Sequence, residues 1–163
     1  MMRLLLLAAT TLLLVKPSSA VFTVSSPKIS ALESALFDGW ANYLTEYDTI
    51  KALFAENVQI TACFSPHPCG TVTGFDAAFG DFAQALAEFD EMATPLVTTA
   101  NMAMWHFAIT FQTKRGCKAA ATGVALAYFN EDGLVDNYQH FSDNTDGLFA
   151  CMAQEGENEK DEL

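Results

Sequence analysis

Near the C-terminal end of the sequence the side chains able to do chemistry fall on alternate positions: Asp136, Tyr138, His140 and Ser142. Successive side chains of a strand point to opposite faces, so this spacing gathers a carboxylate, a phenol, an imidazole and a hydroxyl into one polar column. Imidazole titrates near neutral pH and suits proton transfer, and Asp136 or Tyr138 stands where it can orient the His140 ring. A histidine merely satisfied within a partly buried sheet is the plainer alternative. Asp143 follows as a carboxylate at the strand end.

The elements that must position this column follow from periodicity. Apolar residues recur at Ile29, Leu32, Leu36, Trp40, Tyr43, Leu44 and Tyr47, one stripe of a helix of about 18 residues started by Ser26-Pro27 or by Ser30 with Glu33. Asp48 can cap a short second helix over 49–55, and 58–64 reads as a strand. A loop, Pro66-His67-Pro68-Cys69-Gly70, comes next. Phe75, Phe79, Phe82, Leu86 and Phe89 repeat with helical spacing, predicting a third helix to about Glu88. Everything beyond is expected to be sheet, with strands near 92–100, 103–113, 118–129 and 134–142. Lys114-Arg115-Gly116 and Asn130-Glu131-Asp132-Gly133 carry hairpin turn signals. Helices followed by an antiparallel meander make an α+β fold with three N-terminal helices on one sheet face.

The chain of 163 residues divides into an expected signal peptide (1–20), one folded domain (21–152) and an acidic tail (153–163). Met1-Met2-Arg3, the apolar run from Leu4 to Val15 and the small residues Ser18-Ser19-Ala20 make a secretory leader cleaved after Ala20. That run is too short for a membrane span, which needs about 20 apolar residues. The terminal Lys160-Asp161-Glu162-Leu163 is the address read by the endoplasmic reticulum retrieval receptor, so the lumen of that compartment is the expected location. Removing Arg3 and Lys16 with the leader takes the formal charge from −12 to −14, which argues against nucleic acid and anionic membrane as partners, since either needs a basic footprint. Cys63, Cys69, Cys117 and Cys151 allow three disulfide pairings in an oxidising compartment. Cys63–Cys69 is expected across the proline loop. Cys117–Cys151 is expected because the meander brings the turn before one strand close to the end of the last.

Three segments in order, Leu53-Phe54-Ala55-Glu56-Asn57-Val58, Gly70-x-Val72-x-Gly74-Phe75 and Phe129-Asn130-Glu131-Asp132-Gly133-Leu134-Val135, resemble the nuclear transport factor 2-like superfamily. The resemblance is to its SnoaL-like polyketide cyclase, ketosteroid isomerase and scytalone dehydratase branches. It implies a cone-shaped α+β barrel, a curved and mostly antiparallel sheet around helices with an apolar pocket in its mouth. The small residues Ala121, Gly123, Ala125 and Ala127 would then face the inside together with Trp105, Phe107 and Phe111, and so would the column from Asp136 to Ser142. The positions of the isomerase acids fall on Ala62 and Ala125, which argues against steroid-isomerase chemistry. His140 is left as the expected acid/base, with Tyr138, Asp136 and Tyr43 beside it and Trp40, Tyr47, Trp105, Phe107 and Ala125 around the ligand. Core packing is the alternative for Trp40, Tyr43 and Tyr47. His106 takes the outward parity and cannot share a metal with His140, so neither metal nor cofactor is expected. The expected function is a cofactor-free lyase, isomerase or cyclase acting by proton transfer on a small apolar carbonyl compound, with a non-catalytic small-ligand-binding protein or a dimeric interaction protein of the same fold as the alternatives. The outer face, with Met104, Val124, Leu126, Tyr128, Val135 and Phe141, is expected to form a homodimer.

Overall fold

In the computed structural model of the protein, which describes residues 27–65, 67–143, 147, 150 and 151, helices cover one face of a single six-stranded sheet. The expected leader, the acidic tail and the retrieval signal lie outside the described residues. In chain order the elements are α1 (Pro27–Ala41), α2 (Tyr47–Lys51), β1 (Phe54–Phe64), β2 (Gly70–Thr73), α3 (Phe75–Ala85), β3 (Leu86–Thr98), β4 (Met102–Thr113), β5 (Lys118–Phe129) and β6 (Val135–Asp143). The strands lie side by side as β2-β1-β6-β5-β4-β3. All pairs are antiparallel except β1 with β6. The α+β class with three helices ahead of most of the sheet is as the sequence indicated.

Helix α1 packs on β3 and β4, α3 packs on β1 and β2, and the short α2 bridges the two helices. The stripe expected to run as one helix to Tyr47 is broken after Ala41. The Asn42 side chain donates to the Asp38 carbonyl at 2.8 Å, and the Glu46 amide donates to the Asn42 carbonyl at 2.8 Å. Such local side-chain bonds compete with helix continuation. Tyr43 and Tyr47 nonetheless stay on the inner side, because the turn folds the stripe back on itself. Asp48 lies inside α2, whose N-cap is Glu46 with no side-chain cap bond.

Helix α3 stops at Ala85, and β3 begins at once with Leu86. Leu86 and Phe89 were expected on the helix; they lie on the strand, where Leu86 pairs with Thr113 and Phe89 with Phe111. Their spacing from Phe82 mimics a helical repeat although the chain is already extended. Strand β2 was not anticipated, and it pairs with β1 from Gln59↔Thr73 to Ala62↔Gly70.

Alternation along β4 and β5 puts Ala103, Trp105, Phe107 and Phe111 with Ala121, Ala125 and Ala127 in the core. Leu36, Ile50, Val58, Ile60 and Trp105 are almost wholly buried, each contributing about 1.5–3 kcal/mol of burial. Glu33 of α1 accepts a hydrogen bond from buried Thr98 at 2.8 Å, which ties the first helix to the end of β3. Gly133, at φ 86°, closes the β5–β6 turn, and the Asn130 side chain accepts from the Leu134 amide at 2.9 Å. The disulfides Cys63–Cys69 and Cys117–Cys151 are both present. Ala150 and Cys151 are helical, not sheet.

Candidate functional site

A cavity of about 710 Å³ opens between the inner sheet face and α3, within the range of small-molecule sites. Trp40 of α1, Phe79 and Phe82 of α3 and Ile60 of β1 form much of its apolar wall. Phe107 and Ile109 enter from β4, and Tyr138, His140 and Ser142 from β6. At the mouth stand His67, Pro68 and Gly70, in the loop stapled by Cys63–Cys69, together with Val72.

Cross-strand register builds the polar end. His140 lies between Ala62 of β1 and Ala125 of β5, so the two positions that lack an acid flank the imidazole directly. The ring meets Phe64 edge-on at 4.9 Å and Phe107 at 5.5 Å, and Tyr138 is 6.5 Å away. Tyr138 in turn rests on Trp40 at 5.9 Å, Phe79 at 6.0 Å and Trp105 at 6.0 Å. Among the described residues neither the Tyr138 hydroxyl nor the His140 ring is engaged in a protein hydrogen bond, so both are available to a ligand.

The column is shorter than expected. Phe129 pairs with Val135 and Tyr128 with Asn137, so Asp136 is the extra residue of a β-bulge and points outward, exposed. The same bulge turns Val135 into the core, fully buried, instead of onto the outer face. Tyr43 does not line the cavity; its hydroxyl donates to the Phe79 carbonyl at 2.7 Å and holds α3 against the α1–α2 turn. Tyr47 lies outside too, donating to Asp76 Oδ1 at 2.9 Å beside the Lys51–Asp76 ion pair. Trp105 and Ala125 are completely buried and sit behind the wall rather than in it. The small residues of β5 leave no free volume, since the rings of β4 fill it. A Cβ on Gly123 would meet the Phe141 carbonyl oxygen at 2.0 Å and Phe107 Cζ at 2.7 Å. Trp40 and Phe107 do line the cavity.

No protein-family profile and no curated protein matches the sequence. Solved structures do match the fold. A protein from Jannaschia sp. CCS1 assigned as a SnoaL-like polyketide cyclase aligns at 16% identity over 80% of this chain and 95% of its own, with a TM-score of 0.58. The epoxide hydrolase/cyclase-like enzyme SalBIII of salinomycin pyran-ring formation aligns at 17% identity over 73% of this chain and 93% of its own, TM-score 0.58. A Mycobacterium tuberculosis protein in complex with estradiol-17β-hemisuccinate aligns at 14% identity over 70% and 92%, TM-score 0.56. The fold is nuclear transport factor 2-like.

Within this nuclear transport factor 2-like fold, the carboxylate that lines the cavity, Glu91 of β3, escaped the sequence reading. It pairs with Ile109, and its alternation with Phe89 and Ala93 gives all three the inward parity. That parity was visible in the sequence, had the strand been started at Leu86. Burial pushes the Glu91 carboxyl up to about 7, opposed by the nearby Trp105 indole N–H. That N–H is buried and forms no hydrogen bond within normal geometry, so its pull on the carboxyl is weak. His140 moves the other way, pushed down to about 4 by burial alone, and is neutral at pH 7. Tyr138 is held well above its ordinary value by burial and by the charge of Glu91. The nuclear transport factor 2-like cavity therefore holds a carboxyl poised between its two states, a neutral imidazole and a neutral phenol.

Proposed function

We propose that the protein is a cofactor-free enzyme of the lyase, isomerase or cyclase kind, moving a proton on a small, apolar carbonyl compound. The observation that carries this reading is Glu91. A carboxyl whose pKa lies near 7 inside an apolar cavity both accepts and returns a proton at working pH, which is what general acid/base catalysis asks of it. His140 is better suited to hydrogen-bonding the substrate as a neutral imidazole than to acting as the base. The Tyr138 hydroxyl is the natural donor to a carbonyl oxygen on which charge develops. The estradiol derivative held by the M. tuberculosis neighbour supports an apolar ring compound as the kind of ligand. Binding without turnover is the second reading, favoured by the alanines at positions 62 and 125 beside His140.

As part of the same proposal the protein acts in the lumen of the endoplasmic reticulum, retained through Lys160–Leu163, and pairs with a second copy through its outer sheet face. Phe141, 44% exposed, lies on that face. Screening apolar ketones and polyketide-like phenols by thermal shift, followed by turnover assays on the binders, tests the enzyme reading. Glu91→Gln should lower turnover by about 100-fold with ligand binding retained. Unchanged turnover in that variant would remove Glu91 from the chemistry, and binding with no turnover of any compound would favour the second reading.

A further inference from the structure

The charge balance of the cavity carries an inference about ligand class that does not depend on turnover. Among the described residues lining it there is one carboxylic acid, Glu91, and no Lys or Arg. The other titratable groups that face it are His67 at the mouth and Tyr138 and His140 on β6, and burial keeps the Tyr138 phenol and the His140 ring neutral. Among the described residues Glu91 has no ion-pair partner; of its polar neighbours, the Trp105 indole is not in hydrogen-bond geometry and the Tyr138 phenol is neutral. An ionised carboxylate in that position is an uncompensated charge in a low-dielectric wall, which is costly until a cation joins it.

The rest of the wall is suited to a cation as well. Trp40, Phe64, Phe82, Phe89, Phe107 and Tyr138 place aromatic rings around the space, and aromatic faces attract ammonium groups and repel carboxylates. We propose that the cavity is a binding site for a hydrophobic monoamine, whose ammonium pairs with the Glu91 carboxylate while its apolar body lies among the aromatic rings. An amine of this class would also block the proposed reaction, because it occupies the proton acceptor.

The test uses the full mature chain and three probes of one shape: 2-(2-naphthyl)ethylamine, 2-(2-naphthyl)ethanol and 2-naphthylacetate. Titration calorimetry at pH 8, where Glu91 is ionised, should rank them amine, alcohol, carboxylate, with the amine about tenfold tighter than the alcohol. Near pH 7 the heat of amine binding should depend on the ionisation enthalpy of the buffer, because pairing expels a proton from Glu91; the alcohol should show no such dependence. In Glu91→Gln the amine should lose its advantage while the alcohol keeps its affinity. Equal affinity of amine and alcohol, a preference for the carboxylate, or no binding of any probe would each overturn the proposal. Alcohol binding without an amine preference would leave the enzyme reading standing, and an amine preference with no carbonyl turnover would do the reverse. The wild-type ranking and the buffer dependence need no variant, so a misfolded Glu91→Gln does not obscure the result.

Discussion

Replacing Glu91 with Gln should make the protein more stable, and only where the wild-type carboxyl is ionised. Burial lifts that carboxyl from its ordinary 4.5 to about 7, and at about 1.4 kcal/mol per pH unit the gap is worth about 3 kcal/mol at most. The side chain is only half-buried, so water reaches it and about 2 kcal/mol is the expected gain. Below pH 4.5 the carboxyl is protonated in both folded and unfolded chains and costs nothing. Between 4.5 and 7 the unfolded chain gives up its proton first, so stability falls with rising pH, and above 7 the loss is complete. His140 acts oppositely: its contribution is present above 6.5 and is lost as pH falls through about 4. These two trends nearly cancel in the wild type, and only the difference from the variant isolates the carboxyl. Urea unfolding followed by tryptophan fluorescence should raise the midpoint of Glu91→Gln by about 1 M at pH 8 and by little at pH 5. A variant no more stable than wild type at pH 8, or equally stabilised at both pH values, would refute the reasoning.

The two disulfides should differ in weight. With a sequence separation of 34, Cys117–Cys151 should cost about 4 kcal/mol when both are changed to Ser, against about 2 kcal/mol for Cys63–Cys69 with its separation of 6, as read from urea midpoints. Deleting Lys160–Leu163 from an expressed chain should move it from the endoplasmic reticulum to the medium; retention after deletion contradicts the proposed retrieval. Leu126→Asp, on the proposed dimer face, should give a folded monomer by light scattering because it places an unpaired charge in that interface. A wild type already monomeric at micromolar concentration removes the dimer.

What the sequence could disclose depended on how far each feature is local. The hairpin turns were legible because Gly116 and Gly133 take positive φ, a requirement written in one residue. The inner and outer faces of β4 and β5 were legible because strict alternation of bulky and small residues survives without interruption. The β6 column was read one step wrong at its start, since a bulge at Asp136 shifts parity and nothing in Val135-Asp136-Asn137 announces it. Glu91 was hidden by a boundary: Phe82, Leu86 and Phe89 satisfy a helical repeat, and a carboxylate following that helix looks like part of a solvated acidic turn. The parallel pairing of β1 with β6 depends on distant segments meeting, which no window of sequence reports.

That pairing has a consequence for how the protein comes into being. In the order β2-β1-β6-β5-β4-β3, β6, the last of the described strands in chain order, is the keystone between two half-sheets. Without β6, the β1–β2 pair and the β3–β4–β5 meander have no strand to join them, and each would present an open inner edge. Such edges invite pairing with other chains, so the interval before β6 inserts is when the nascent protein is most exposed to misassembly. Because joining the halves closes a long loop, it is also expected to be the slow step of folding. Tyr138, His140 and Ser142 travel on that strand. A chain interrupted before residue 135 would thus keep most of its apolar core residues yet have neither a closed sheet nor the polar end of its cavity.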